Sequence, residues 1–160
     1  MDVSEFFVKT WEKEAAATRK VFSRIPQDRS DYRPDPKARN ARELAWMMIR
    51  EEILLAEGLE RGRIDWVELP APDTVKEILD TYDRHHPEAT RKLKALTAEG
   101  WHKPVPFMFG DQEVMKEVAH EMAWGFLLDL IHHRGQLSTY LRPMGSTVPA
   151  IYGPSADEQS

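Results

Sequence analysis

The 160-residue sequence contains no cysteine. That excludes disulfides, thiolate zinc sites and cysteine nucleophiles. It has no apolar run approaching the roughly 18 residues that would read as a membrane span. Basic residues are not in excess: 22 Lys and Arg stand against 27 Asp and Glu, a net charge of −5. The chain therefore lacks the basic stripe with which a general nucleic-acid binder replaces counterions. The opening segment MDVSEFFVKTWEKEAAATRK carries acids where a signal peptide has bases, and it has no long apolar stretch. A cytoplasmic protein is expected. There is no internal repeat, no low-complexity tract and almost no alternating strand pattern. Glycine-rich phosphate loops, a serine nucleophile elbow and a zincin motif are also missing.

What remains is a soluble globular composition, 41% hydrophobic and 31% charged. The length suits one domain, long enough to bury a sizeable core unaided. Helical periodicity dominates. A first helix reads from about Ser4 to Ser23, with Val3, Phe7, Trp11, Thr18 and Phe22 on one stripe and Asp2 or Ser4 as cap. The segment RIPQDRSDYRPDPKARN then reads as a loop. A second helix starts at Asn40 or Ala41, where Asn40 and Glu43 have capping-box spacing. Leu44, Met48, Leu55 and Leu59 recur along it, and Gly62 lies near its end.

After a second connector, RIDWVELPAPD, a third helix reads from about Thr74 to Ala98, and Pro87 predicts a kink or break near His85 and His86. Residues 100–110, GWHKPVPFMFG, read as a rigid aromatic loop. The fourth helix is expected over about Gln112 to Arg142. Met115, Met122, Phe126, His133, Leu137 and Tyr140 lie on one face at about 100° per residue. Around Phe126 to Ile131 it is apolar on nearly every side, which points to the centre of a bundle or to a homodimer contact.

Four such helices make an all-α four-helix bundle over residues 1–145. Residues 146–160 are expected as an extended tail, with Val148, Ile151 and Tyr152 packed back on the bundle and the acidic end free. Both proline-rich connectors are long enough to cross the bundle, so a simple up-down-up-down order is not required.

The chemistry-bearing feature lies on the fourth helix. Asp129 and His133 are four residues apart and meet on one face. With Phe126 at the centre of the core stripe, His133 lies about 20° from it and Asp129 about 60°. Both then point inward, and a buried carboxylate is costly unless paired or bound to a metal. Bundle cores build metal sites from such facing groups, the third ligand coming from another helix. Zinc, iron, nickel and manganese all accept nitrogen and oxygen donors. The plain structural alternative is a satisfied Asp129–His133 hydrogen bond. By the same helical arithmetic His132 points to the side, Gln136 lies near the edge of the inner face, and Arg134 falls on the opposite flank.

The stretch DLIHHRGQLSTYLRPMG followed by VPAIYGPSADE resembles the DinB-like family, which includes the YfiT-like proteins. The signature is HHRGQL, His132 to Leu137, followed by YLR and a glycine, Tyr140 to Gly145. The likeness extends to NARELAWMM and to the loop before it. The resemblance implies an up-down-down-up four-helix bundle with long crossover connections. It also implies a divalent metal held by three histidines, one from the second helix and two from an HxxxH arrangement. The final family histidine matches His133. The one before it is Asp129 here, and the second-helix position falls on Met47. Methionine is a soft, weak ligand for such an ion.

Two readings follow. In one, the site has moved a turn along to Glu51, giving a Glu51, Asp129, His133 triad with open positions. In the other, the fold is kept and the metal site is lost, and Glu51 and Glu52 are acids on an exposed helix face. Family resemblance further implies thiol S-transferases using bacillithiol, mycothiol or a similar low-molecular-weight thiol, or metal-dependent hydrolases. The first expectation is thus a metal-dependent enzyme acting on a small molecule. The alternative is a catalytically inactive dimeric binding or interaction protein. His85 and His86 are expected at the helix kink, and His120 exposed. Trp46 and Trp124 are expected as packing residues or as the lining of a pocket near the site, while Arg134 and Gln136 are expected to make structural hydrogen bonds.

Overall fold

A computed structural model of the chain describes residues 2–159. Four long helices carry the fold: α1 (Val3–Ser23), α2 (Ala41–Arg61), α3 (Val75–Ala95) and, after a one-turn α4 (Ala98–Trp101) and two strands, α5 (Ala119–Leu141). Their starts follow local chemistry. Asp2 with Glu5 and Asn40 with Glu43 form capping boxes, and Thr74 accepts from the Glu77 backbone N–H. Helix α2 stops at Gly62, whose φ of +80° is a left-handed conformation that glycine adopts without strain.

Helix α1 packs against α3 and α5, and α2 packs against the same two. The space between them is filled by Phe7, Trp11, Phe22, Met48, Leu55, Ile78, Leu93, Met122 and Leu137. Val3, placed on the α1 stripe from sequence, is exposed. Helix α3 runs unbroken through Pro87, contrary to the expected break. Tyr82, Ala89, Thr90 and Leu93 are buried on either side of the proline.

The fold is mostly helical but not all-α. Strands β1 (Ile64–Trp66), β2 (Pro104–Phe109) and β3 (Gln112–Val118) form a three-stranded sheet, β1 parallel to β2 and β2 antiparallel to β3. The aromatic segment 100–110 and the first part of the expected fourth helix are thus a hairpin. Gly110 and Asp111 make its two-residue turn, with Gly110 at φ +59° and Phe109 paired to Gln112. Met115, expected on the helical core stripe, lies exposed on β3.

The phase of α5 also differs from the expected one. Its inner face centres on Leu127, Leu130, Arg134 and Leu137, not on Phe126, which is half-buried. Arg134, expected on the opposite flank, is 1% exposed. Its Nη2 donates to Glu14 Oε2 at 2.7 Å and to the Tyr152 hydroxyl at 2.6 Å. Its Nη1 donates to the Glu14 carbonyl at 3.1 Å and to Thr18 Oγ1 at 3.3 Å. These are structural bonds, as the sequence suggested.

They also fix the tail. Tyr152 donates to Glu14 Oε2, Asp157 accepts from Arg142 Nε and from the Val148 backbone, and Glu158 pairs with Arg24 and Lys20. The acidic end therefore packs on the helices, contrary to expectation. Among the described residues no helix is long and apolar enough to cross a membrane.

Candidate metal centre

Glu51 sits in the middle of α2, on the side that packs against α5. It is 6% exposed, against the expectation of an acid on an exposed face. Asp129 and His133 face it from α5, one turn apart. His133 Nδ1 stands 3.7 Å from Glu51 Oε2 and 3.5 Å from Asp129 Oδ2. One ligand atom from each residue lies within 4.8 Å of the other two. The expected inward pointing of both α5 groups holds for one of them: the His133 side chain is 17% exposed, that of Asp129 53%. Asp129 occupies the solvent edge because the true core stripe is centred nearer Leu130.

At 3.5–3.7 Å these contacts are too long for hydrogen bonds. Glu51 Oε2 and His133 Nδ1 are buried and have no hydrogen-bond partner. The alternative of a satisfied Asp129–His133 hydrogen bond therefore does not describe this pair. Two ligands at ~2.1 Å from one ion lie about 3.0–4.2 Å apart, depending on the angle between them. Both separations from His133 Nδ1 fall in that range, and an imidazole with two carboxylates is an ordinary donor set for a divalent cation. The residues fit a metal ion.

Burial pushes the Glu51 carboxyl above its ordinary range, opposed by the neighbouring imidazole. Glu51 in turn raises His133, against the effect of burial on that ring.

Met47 lies one turn before Glu51 and is half-buried. With His133, Gln136, Thr139 and Tyr140 it lines an open cleft of about 780 Å³. His132 is exposed, shares a 2.9 Å contact with Gln136, and its ring lies 5.4 Å from that of His133. Trp124 packs on Phe6 and Phe7. Trp46 lines a second cleft, described below. His120 is half-buried, its ring 5.6 Å from that of His102, and not fully exposed as expected.

The second acid of the α2 pair, Glu52, is also buried, and it reaches the other way. Its Oε2 lies 2.8 Å from His86 Nδ1 on α3. The His86 ring stacks on Trp11 and Tyr82, with Thr90 Oγ1 3.3 Å from Nε2. Sequence reasoning placed His86 at a surface kink. The signal that finds it is helical spacing: His86 is four residues from both Tyr82 and Thr90, on the buried face of α3.

A model of the DinB family matches residues 1–160. The chain belongs to the DinB family. It is 26% identical over 165 residues to the uncharacterized protein YrdA of Bacillus subtilis strain 168, covering 96% of this chain and 90% of that one. A DinB-like protein of Bacillus cereus ATCC 10987 has the same fold, with a TM-score of 0.78 at 20% identity over 92% of this chain and 97% of that one. The DinB-like protein YjoA of B. subtilis superposes with a TM-score of 0.71 at 20% identity, over 96% and 99% of the two chains. Among the described residues of this DinB chain, Glu51, Asp129 and His133 form a cluster that could hold a metal ion.

Proposed function

We propose that this DinB protein is a divalent-metal-dependent enzyme acting on a small molecule by hydrolysis or group transfer. Its metal would be held by Glu51, Asp129 and His133, on the four-helix, up-down-down-up bundle the family implies. One observation carries the reading. Two buried polar atoms on different helices, Glu51 Oε2 and His133 Nδ1, converge with an Asp129 oxygen, and neither has a hydrogen-bond partner.

Zinc, nickel, manganese or iron bound there would supply Lewis acidity, lowering the pKa of a bound water or thiol. The chain's own part is to hold charge and leave access. Glu51 is the fixed interior carboxylate. His133 is the neutral nitrogen donor on the cleft wall. Asp129, half in solvent, marks the side from which a substrate would reach the ion. Glu51 and Asp129 would bring more negative charge to a bound ion than imidazoles at the same positions, and would make it a weaker Lewis acid. Exposed Phe6 and Leu128, on α1 and α5, suit the homodimer the sequence suggested.

The test is elemental analysis of untagged, chelator-free protein for nickel, zinc, manganese and iron. Close to one ion per chain is expected. No uptake after incubation with each ion in turn would overturn the reading and leave the inactive-bundle alternative.

A further inference from the structure

Arg42, Trp46 and Arg50 recur every four residues along α2, so they share one face of the helix. That face borders a cleft of about 450 Å³ whose other wall is the connector from Trp66 to Asp73. The two indoles are already tied down. Trp46 Nε1 donates to the Leu69 carbonyl at 3.1 Å, and Trp66 Nε1 donates to Glu68 Oε1 at 3.1 Å. What they offer the cleft is apolar ring surface.

The arginines are not fully used. Arg42 Nη1 donates to the Pro72 carbonyl at 3.0 Å, while its Nε is buried without an acceptor. Arg50 Nε is buried without an acceptor too. Buried donors of this kind are costly and uncommon.

Three acids also border the cleft, and each is engaged or out in solvent. Glu43 caps the Asn40 backbone and lies 3.5 Å from Arg33, and Glu68 holds Trp66. Asp73 is fully exposed, 3.8 Å from Arg42. No carboxylate among the described residues comes within salt-bridge distance of Arg50.

We propose that this cleft binds a small organic anion. Its carboxylate or phosphate sits on Arg50, with Arg42 as a second donor, and its body lies against Trp46 and Trp66. A planar guanidinium matches either anion through paired N–H donors. Aromatic ring surface beside a few placed charges is a combination found in small-molecule sites. Met47 and Arg39 line both this cleft and the one into which His133 opens. A ligand anchored at Arg50 extends past Met47 towards the candidate metal centre. That the anion is the substrate rests on the metal-enzyme reading above; that it binds does not.

The experiment titrates metal-free, full-length protein with benzoate, phenyl phosphate and uncharged benzyl alcohol. It follows the indole N–H resonances of Trp46 and Trp66 by NMR. Both indoles should shift saturably with the anions, and benzyl alcohol should bind at least about tenfold more weakly. The tighter anion identifies the preferred acid group. Arg50→Gln should weaken the anions about tenfold or more, Arg50→Lys less, and Asp129→Asn not at all. If Arg50→Gln does not fold, Arg42→Gln carries the same test. Equal binding of benzyl alcohol, unchanged affinity in the glutamine variant, or no shift of either indole overturns the proposal. Anion binding in a protein that takes up no metal would sink the enzyme reading and leave this one standing. Metal uptake without anion binding would do the reverse.

Discussion

Glu51 and Glu52 are neighbours in the chain, yet each faces a histidine on a different helix. Glu51 lies 3.7 Å from His133 on α5, and Glu52 lies 2.8 Å from His86 on α3. The two pairs look alike in composition and differ in what is left over. Glu52 and His86 are within hydrogen-bond distance, and His86 has Thr90 at its other nitrogen and aromatic rings beside it. That pair is a closed core element. Glu51 and His133 are too far apart to bond, their facing atoms Oε2 and Nδ1 are buried, and Asp129 lies beside them. Only the second arrangement leaves donor atoms for an ion.

Metal affinity should therefore respond to one pair and not to the other. His133→Ala and Glu51→Gln should each lower metal affinity at least about tenfold, and Asp129→Asn by a similar or smaller factor because it is the most exposed ligand. Glu52→Gln should leave metal content unchanged. Elemental analysis of the four variants, with circular dichroism as a check on folding, measures this. Equal loss in Glu52→Gln would show that the effect is structural.

Glu52 also makes a prediction about pH. Burial pushes its carboxyl above the ordinary value of 4.5, with His86 opposing. A carboxyl raised on folding contributes stability that is fully present below its unfolded pKa and is lost as pH rises through the folded one. Stability of the metal-free protein should fall over that interval, and Glu52→Gln should reduce the fall. Glu51 is shifted in the same direction, so some slope should persist in the single variant. Urea unfolding at about pH 5 and about pH 8 compares the slopes. An unchanged slope in Glu52→Gln would assign the whole effect elsewhere.

The long helices, the Asn40–Glu43 capping box and the pairing of Asp129 with His133 were legible in the sequence because each rests on a spacing that the α-helix imposes, whereas Glu51 came from the family resemblance, one turn after Met47. The strands were not. β3 is exposed along almost all its length, so it has no buried side to write an alternating pattern, and its methionine and valines fit a helical stripe equally well. The Gly110-Asp111 pair is the one turn signal there, too short by itself to outweigh the helical spacing around it. Arg134 was misplaced because the stripe was centred on Phe126. A charged residue in the middle of a core stripe is readable only once its partner is known, and Glu14 lies 120 residues away. The Arg42, Trp46, Arg50 ladder was visible as spacing, but the connector opposite it comes from the fold.

Gly58 tests how the sheet is joined to the helices. A Cβ at this position would meet the Ile64 side chain and come within 3.0 Å of the Arg63 carbonyl oxygen and of Ile64 Cα. Ile64 is fully buried and begins β1. Two of the three obstructing atoms are backbone, so the strand itself must move. Gly58→Ala should cost about 1–3 kcal/mol by overpacking, in spite of alanine's better helix propensity. Urea unfolding gives the number. A neutral or stabilising alanine would mean that β1 is loosely held to α2.

The buried Arg134–Glu14 pair makes the largest stability prediction. Both side chains sit among apolar residues, at 2% and 10% exposure. Arg134→Met keeps the stem volume and removes the cation, leaving Glu14 buried with only Tyr152 as a side-chain donor. Breaking such a pair from one side costs about 3–5 kcal/mol. Replacing both members is different, because it removes the desolvated charges together. Glu14→Leu with Arg134→Met should recover most of the loss, as buried ion pairs exchanged for apolar side chains of similar volume are often neutral or better. Tyr152→Phe removes one hydroxyl from the same network and should cost about 1 kcal/mol. It should also loosen the tail, since Tyr152 bonds both Arg134 and Glu14. A double-mutant cycle read by urea unfolding separates the pair energy from the single losses. If Arg134→Met alone costs less than about 1 kcal/mol, Glu14 has found water or changed rotamer, and the pair does not hold α5 to α1.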